Sequence, residues 1–312
     1  MTMQIIIDTD PGIDDLVALA LAARSPELSI VAVTATYGNA TLAQTTHNTR
    51  ELLRRVGKPL IPVLPGSDRP LDRDLVTAPE IHGPRGVGFA PVKLADPVTS
   101  NPAALADLLR TTSEPVTLVT LGPLTNLAHA VLIDRTTVRS KITRHVGMFG
   151  TIAVRARAGR MADFNSWCDP EAVSIVLDAE IPTLMVGLEA SNRMLISGEE
   201  VRGLGSSTDD LTNWLAQALQ FYVEVHRKRD GIDGCRLPDV LPLGELIHSG
   251  LLDCDTRCLE VVSEDGEQRG RTVATDTGVA VAVAMDADTD TMKALLARVF
   301  DAGWNQEDGD TD

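Results

Sequence analysis

Four carboxylates crowd residues 8–15 of the chain: Asp8, Asp10, Asp14 and Asp15. The three β-branched apolar residues before them, Ile5-Ile6-Ile7, predict a buried parallel strand. Pro11-Gly12 is a turn signal, and the Ala- and Leu-rich run from Ile13 to Ala23 predicts a helix. The acids therefore gather at the carboxyl end of a strand and the first turn of a helix, where open α/β sheets bind their ligands. One helix N-terminus supplies roughly half a positive charge, too little for four anions. Either some of these acids are protonated or a cation sits among them. Oxygen donors with no His or Cys beside them favour a hard ion, Ca²⁺ or Mg²⁺. A plain capping role would need Asp8 or Asp10 alone, not the whole set.

The same stretch, Asp8-Thr9-Asp10-Pro11-Gly12-Ile13-Asp14-Asp15, resembles the N-terminal signature of the inosine-uridine nucleoside hydrolase family. Those enzymes are Ca²⁺-dependent and cleave the N-glycosidic bond of ribonucleosides. Further similar segments extend the resemblance from Ile5 to about Val283: Gly38-Asn39, Ile81-His82-Gly83, Gly122-Pro123-Leu124-Thr125-Asn126, Ala162-Asp163-Phe164-Asn165 with Asp169-Pro170-Glu171-Ala172, and Gly270-Arg271-Thr272-Val273. The fold it implies is α/β, an open, mostly parallel doubly wound sheet with helices on both faces.

The resemblance also assigns roles. Asp10, Asp15, Asp239 and the backbone carbonyl of Leu121 would hold Ca²⁺, which takes 6–8 oxygen ligands. Asp14 would be the general base toward the attacking water. Asn39, His82, Met148, Asp163 and Asn165 would line the nucleoside. Each has a plainer reading: Asn39 as a turn residue, His82 as a loop surface residue, Met148 as core, Asp239 as a helix cap.

Three positions depart from the family pattern. Asp163 stands for a Glu and is one methylene shorter. Arg157, in a run with Arg155 and Arg160, stands where the family has an Asn near the 5′-hydroxyl; these arginines either coat a loop or point to a sugar altered at that position. Pro238 stands where many members have a His that protonates the departing base, and proline can do no such chemistry. The proton could come from His226, from Cys235, or be unnecessary for an electron-poor base. His226 is the preferred candidate; its plainer role is to complement a helix C-terminus.

Composition narrows the rest. The chain has 312 residues, a net charge of -16, 44% apolar residues and 3% aromatics. That charge argues against nucleic acid and anionic membrane as partners, and suits a cation with a neutral nucleoside. Cys168, Cys235, Cys254 and Cys258 are too few and scattered for a disulfide framework. No apolar run approaches the roughly 20 residues of a membrane span, and the immediate entry into a strand leaves no room for a secretory signal. The expectation is a cytoplasmic enzyme with one domain over residues 1–304 and a disordered acidic tail over 305–312. By resemblance it would be a homodimer or homotetramer.

The elements that must position these residues follow from the patterning. Strands are expected at residues 29–36, 59–64, 116–121 and 182–188, and another ending between His145 and Phe149. Helices are expected at 41–56, 101–110, from Thr125 to about Leu132, and in two segments over 197–228. A hairpin is expected around Asp265-Gly266. Residues 67–100, rich in Pro, Gly and Asp, form a loop long enough to be functional. Two other functions compete: an aspartyl-nucleophile phosphatase, from Asp8-Thr9-Asp10, and a non-catalytic nucleoside or ribose binder, from Pro238 and Arg157. A hydrolase for a non-standard nucleoside is a further alternative.

Overall fold

The computed structural model describes residues 2–154 and 161–300. Arg155, Arg157, Arg160 and the tail from 305 to 312 lie outside the described residues. The chain opens with β1 (Met3–Thr9), α1 (Ile13–Arg24), β2 (Leu28–Ala35), α2 (Leu42–Arg55), β3 (Val63–Pro65), α3 (Pro79–His82) and α4 (Ala104–Thr111). It continues through β4 (Val116–Thr120), α5 (Thr125–Lys141), β5 (Ile142–Gly147), α6 (Phe164–Cys168), α7 (Pro170–Asp178), β6 (Thr183–Met185) and α8 (Leu188–Ser191). There follow β7 (Leu195–Ser197), α9 (Gly198–Leu204), α10 (Asp210–Asp230), β8 (Gly234–Arg236) and α11 (Val240–Ile247). The described chain closes with β9 (Leu252–Val261), β10 (Thr272–Thr275), β11 (Val279–Ala287) and α12 (Thr289–Leu296).

Nine strands form one sheet in the order β10-β9-β11-β6-β5-β4-β1-β2-β3, and β7 with β8 form a small antiparallel ribbon. From β3 to β11 the neighbours run parallel; β9 pairs antiparallel with β10 and β11 at the edge. The architecture is the α/β, mostly parallel doubly wound sheet. Because side chains alternate along a strand, β1 feeds two cores. Ile5 and Ile7 pack with α1, α10 and α11 on one face. Ile6 packs with α4, α5 and α7 on the other. An uninterrupted apolar run is what a strand covered on both faces requires.

The order places β2 on one side of β1 and β4 on the other. Their connections run in opposite directions, so a crevice opens at the carboxyl ends of β1 and β4. Asp10 follows β1 and Leu121 follows β4, and the Leu121 N–H donates to the Asp8 carbonyl at 2.8 Å. Several elements differ from the patterning. The strand expected at residues 182–188 holds only Thr183–Met185, where it pairs with β5, and Leu188 already opens α8. The third strand holds only Val63–Pro65, because its pairing with β2 runs for three residues. α5 runs past Leu132 to Lys141 through a break at Asp134, whose carboxylate takes the Thr137 N–H and restarts the helix. No described helix is long and apolar enough to cross a membrane.

Candidate active site

Asp8 belongs to the scaffold. Its Oδ1 accepts from the Thr34 hydroxyl and, at 2.7 Å, from Asn126 Nδ2, which ties β1 to β2 and α5. Burial pushes its carboxyl up to about 7 despite those donors. Asp8 is fully buried, so the Asp-x-Asp pattern presents no accessible nucleophile here.

Asp10 is also fully buried. Its Oδ2 accepts the Asn39 backbone N–H at 2.7 Å, while Oδ1 has no partner among the described residues. Two glycines make room for it. A Cβ at Gly122 would stand 2.6 Å from Asp10 Oδ1, and one at Gly38 would strike Oδ2. Gly38 also has φ +150°, a backbone that side chains rarely adopt.

Asp15 closes the N-terminus of α1 by accepting the Gly12 N–H at 3.0 Å. It also takes the Thr9 hydroxyl at 2.5 Å and Asn39 Nδ2 at 3.0 Å. Asp14, its neighbour, has a different environment. Its Oδ2 lies 3.4 Å from the Tyr222 hydroxyl of α10, and its Oδ1 has no partner among the described residues. His82 Nδ1 stands 3.8 Å from Asp14 but accepts the Ile13 N–H at 3.1 Å. Burial, reinforced by His226 and Arg229, lowers His82 to about 3, so the ring is neutral and the contact is not an ion pair.

Asp239 arrives from the other side of the crevice, just before α11. It makes no capping hydrogen bond to that helix. One carboxylate oxygen each from Asp14, Asp15 and Asp239 lies within 4.8 Å of the others, all three buried. At that spacing and an effective dielectric constant near 20, each ionised pair repels by about 3 kcal/mol. The helix dipole returns at most about 2 kcal/mol. Burial together with this mutual repulsion raises the carboxyls of Asp10, Asp14 and Asp239. Buried oxygen donors, two of them without partners, fit a hard divalent cation. Asp10 lies outside the tight trio yet adds to the field at Asp239.

Asp14 and Asp239 border a cavity of about 300 Å³, a size that suits a small ligand. Asp14, Asn39, His82, Leu121, Met148, Asp163, Asn165, His226 and Asp239 all line it. Asn165 Nδ2 donates to the carbonyls of Leu121 (2.6 Å) and Met148 (2.8 Å), joining the ends of β4 and β5. Asp163 caps α6 through the Ser166 N–H and accepts the Gly150 N–H at 2.6 Å, so its shorter side chain is committed to backbone. His226 lies one turn after Tyr222, and its Nδ1 donates to the Tyr222 carbonyl at 3.0 Å. That bond selects the tautomer and leaves Nε2 as the atom that could face a ligand. Cys235 is fully buried in the core, does not border the cavity, and burial pushes its thiol up.

Tyr222, Arg229, Arg236 and Ser191 are among the cavity residues that no motif of the sequence singles out as a site. Tyr222 and His226 share an i, i+4 spacing on a helix face, a detectable signal whose meaning depends on Asp14, 208 residues away. The other three carry no local motif.

A family model described as inosine-uridine preferring nucleoside hydrolase matches residues 5–294. The pyrimidine-specific ribonucleoside hydrolase RihA of Photobacterium profundum is 36% identical over 287 residues, covering 88% of this chain and 89% of that protein. The protein of the same name from Klebsiella pneumoniae is 34% identical over 277 residues, 88% of each. Among solved structures, a plant nucleoside hydrolase, PpNRh1, superposes with a TM-score of 0.87 at 29% identity, covering 96% of this chain and 99% of its own. A purine-preferring ribonucleoside hydrolase from Gardnerella vaginalis superposes at 0.86 with 24% identity, over 95% and 98% of the chains, a likeness of fold alone.

Proposed function

The chain belongs to the inosine-uridine preferring nucleoside hydrolase family and is a ribonucleoside hydrolase, and from that premise we propose that it cleaves pyrimidine ribonucleosides to free base and ribose with Ca²⁺ and Asp14 as general base. The pyrimidine preference follows the names of the relatives. The observation that carries the mechanism is the convergence of Asp14, Asp15 and Asp239 on one point at the floor of the cavity.

Asp10, Asp15, Asp239 and the Leu121 carbonyl would hold the ion, which when bound supplies Lewis acidity toward water and the ribose hydroxyls. Asp14 accepts the proton of the attacking water, through the Oδ1 that has no other partner among the described residues. Asn39 has its amide on Asp15 and its N–H on Asp10, so it steadies two acids beside the ribose. Asp163, Asn165 and Met148 form the ribose wall, with Asp163 using lone pairs left over from its backbone bonds. His82, held neutral, closes the cavity mouth. His226, oriented through Nδ1, delivers a proton to the departing base from Nε2 when the ring is in its imidazolium form.

The ribose ring gathers positive charge as the glycosidic bond lengthens, and the nearby carboxylates stabilise it. One sheet that collects strands from β1 to β11 supports a single domain over residues 1–304. Leu132 and Ile133, exposed side by side on α5, support a homodimer or homotetramer. Four free cysteines support a reducing, cytoplasmic setting. The test is release of free ribose from uridine and cytidine, with and without chelator. Ribose release that chelation does not touch refutes the role of the cation.

A further inference from the structure

The cavity is lined by side chains that the proposed chemistry leaves unused. β8 delivers Arg236 and α8 delivers Ser191, and both border the cavity, as do Pro238 and Arg229. Arg236 stands across the ribbon from Leu195, and its Nε donates to the Asn192 carbonyl at 3.0 Å. That bond fixes the plane of the guanidinium. Its Nη1 is then buried with no hydrogen-bond partner among the described residues. Ser191 is 1% exposed, and its Oγ is likewise buried without a partner among them. Buried donors are normally satisfied, and two orphans among the residues that line one cavity mark where a ligand acceptor belongs.

We infer that Arg236 and Ser191 receive an oxo oxygen of the leaving base and stabilise the negative charge that the base acquires as the glycosidic bond breaks. This rests on the hydrolase reading above and specifies how the base departs. Pro238, two residues on, offers no proton, which is the condition under which a cationic wall matters most. Electrons and protons balance without a co-reactant. The C1′–N bond breaks with its electron pair passing into the base, where a uracil-type ring spreads it onto its oxo oxygens. The water oxygen bonds to C1′, the water proton goes to Asp14, and the base takes up a proton from His226 afterwards. A guanidinium in a partly buried site is a strong partner for such an oxygen. Burial and the nearby Arg229 work against its protonated form, while Tyr222 favours it. The same donors meet an amino group at that position unfavourably, so the wall selects oxo over amino bases.

The test compares two N-ribosides that differ in the charge of the leaving group. Uracil leaves uridine as an anion, whereas nicotinamide leaves its cationic riboside as a neutral molecule. In Arg236→Met the kcat/KM ratio of uridine to nicotinamide riboside should fall by about 10²-fold, the scale of losing one donor to a developing anion. Ser191→Ala, a small change in a buried helix, should lower the same ratio by about threefold to tenfold. Equal losses on both substrates in both variants would reduce the pair to a structural role and overturn the inference. So would a wild-type enzyme that cleaves nicotinamide riboside but not uridine, while leaving the hydrolase reading intact. If wild type cleaves neither, that reading itself fails.

Discussion

The Tyr222 hydroxyl lies 3.4 Å from the carboxylate of Asp14, joining α10 to the first turn of α1. The contact is long for a hydrogen bond, and the phenol acts to lower the Asp14 carboxyl against burial and the charge of Asp15. Tyr222 also packs edge-on against His226, with ring centroids 4.6 Å apart. One buried phenol thus sits between the proposed base and the proposed acid.

Tyr222→Phe removes that donor and keeps the ring. The Asp14 carboxyl then rises, and since the ionised form is the active base, the acid limb of the pH–rate profile moves to higher pH. The expected shift is a few tenths of a unit, with kcat at neutral pH down about threefold. A profile superimposable on wild type would show that Tyr222 does not act on Asp14.

Gly38→Ala places a methyl group against Asp10 Oδ2 on a backbone with φ +150°. Strain of this kind costs on the order of 1–3 kcal/mol, and the displaced carboxylate should weaken cation binding by about tenfold or more. Calorimetric titration with Ca²⁺ checks this. Unchanged affinity would remove Asp10 from the cation's surroundings.

Cation removal should affect stability as well as activity. A ligand present at 100 times its dissociation constant stabilises the folded state by about 2.7 kcal/mol, and here it also relieves repulsion among Asp14, Asp15 and Asp239. Chelation should therefore lower the melting temperature by several degrees, and Ca²⁺ should restore it. Equal melting with and without chelator would mean that these acids hold no ion.

His145 gives a pH dependence away from the acids. It is fully buried between Thr120 and Thr183, and burial lowers it from 6.5 to about 3. With its folded value depressed, its contribution is complete above about 6.5 and is lost as pH falls toward 3. Between pH 7 and pH 5 wild type should lose about 2 kcal/mol more stability than His145→Asn, as read from urea midpoints. Parallel pH curves for the two proteins would show that His145 is solvated or charged in the folded state.

What the sequence reveals of the site tracks how local each contact is. Asp10, Asp14 and Asp15 share one strand–turn–helix unit, so their spacing in the chain already brings them to one crevice. Asn39 and Leu121 end strands that flank β1, and strand-end motifs mark them. Asp239 becomes meaningful only through a family pattern, because it reaches the trio from 224 residues beyond Asp15. Arg236 and Ser191 are further removed from any sequence signal: one lies on a three-residue ribbon and the other on a single helical turn. Their shared feature, buried donors without partners, exists only in the folded chain. The short β3 was equally opaque, since Pro59 to Leu64 is apolar enough for a strand and only pairing with β2 limits it.

The most direct test is Asp14→Asn, measured for Ca²⁺ affinity and for uridine turnover in the same preparation. The account predicts affinity within about threefold of wild type and kcat lower by about 10³-fold, the scale expected for a lost general base. Undiminished turnover would contradict it, and loss of cation binding together with turnover would make Asp14 a ligand of the ion instead of the base.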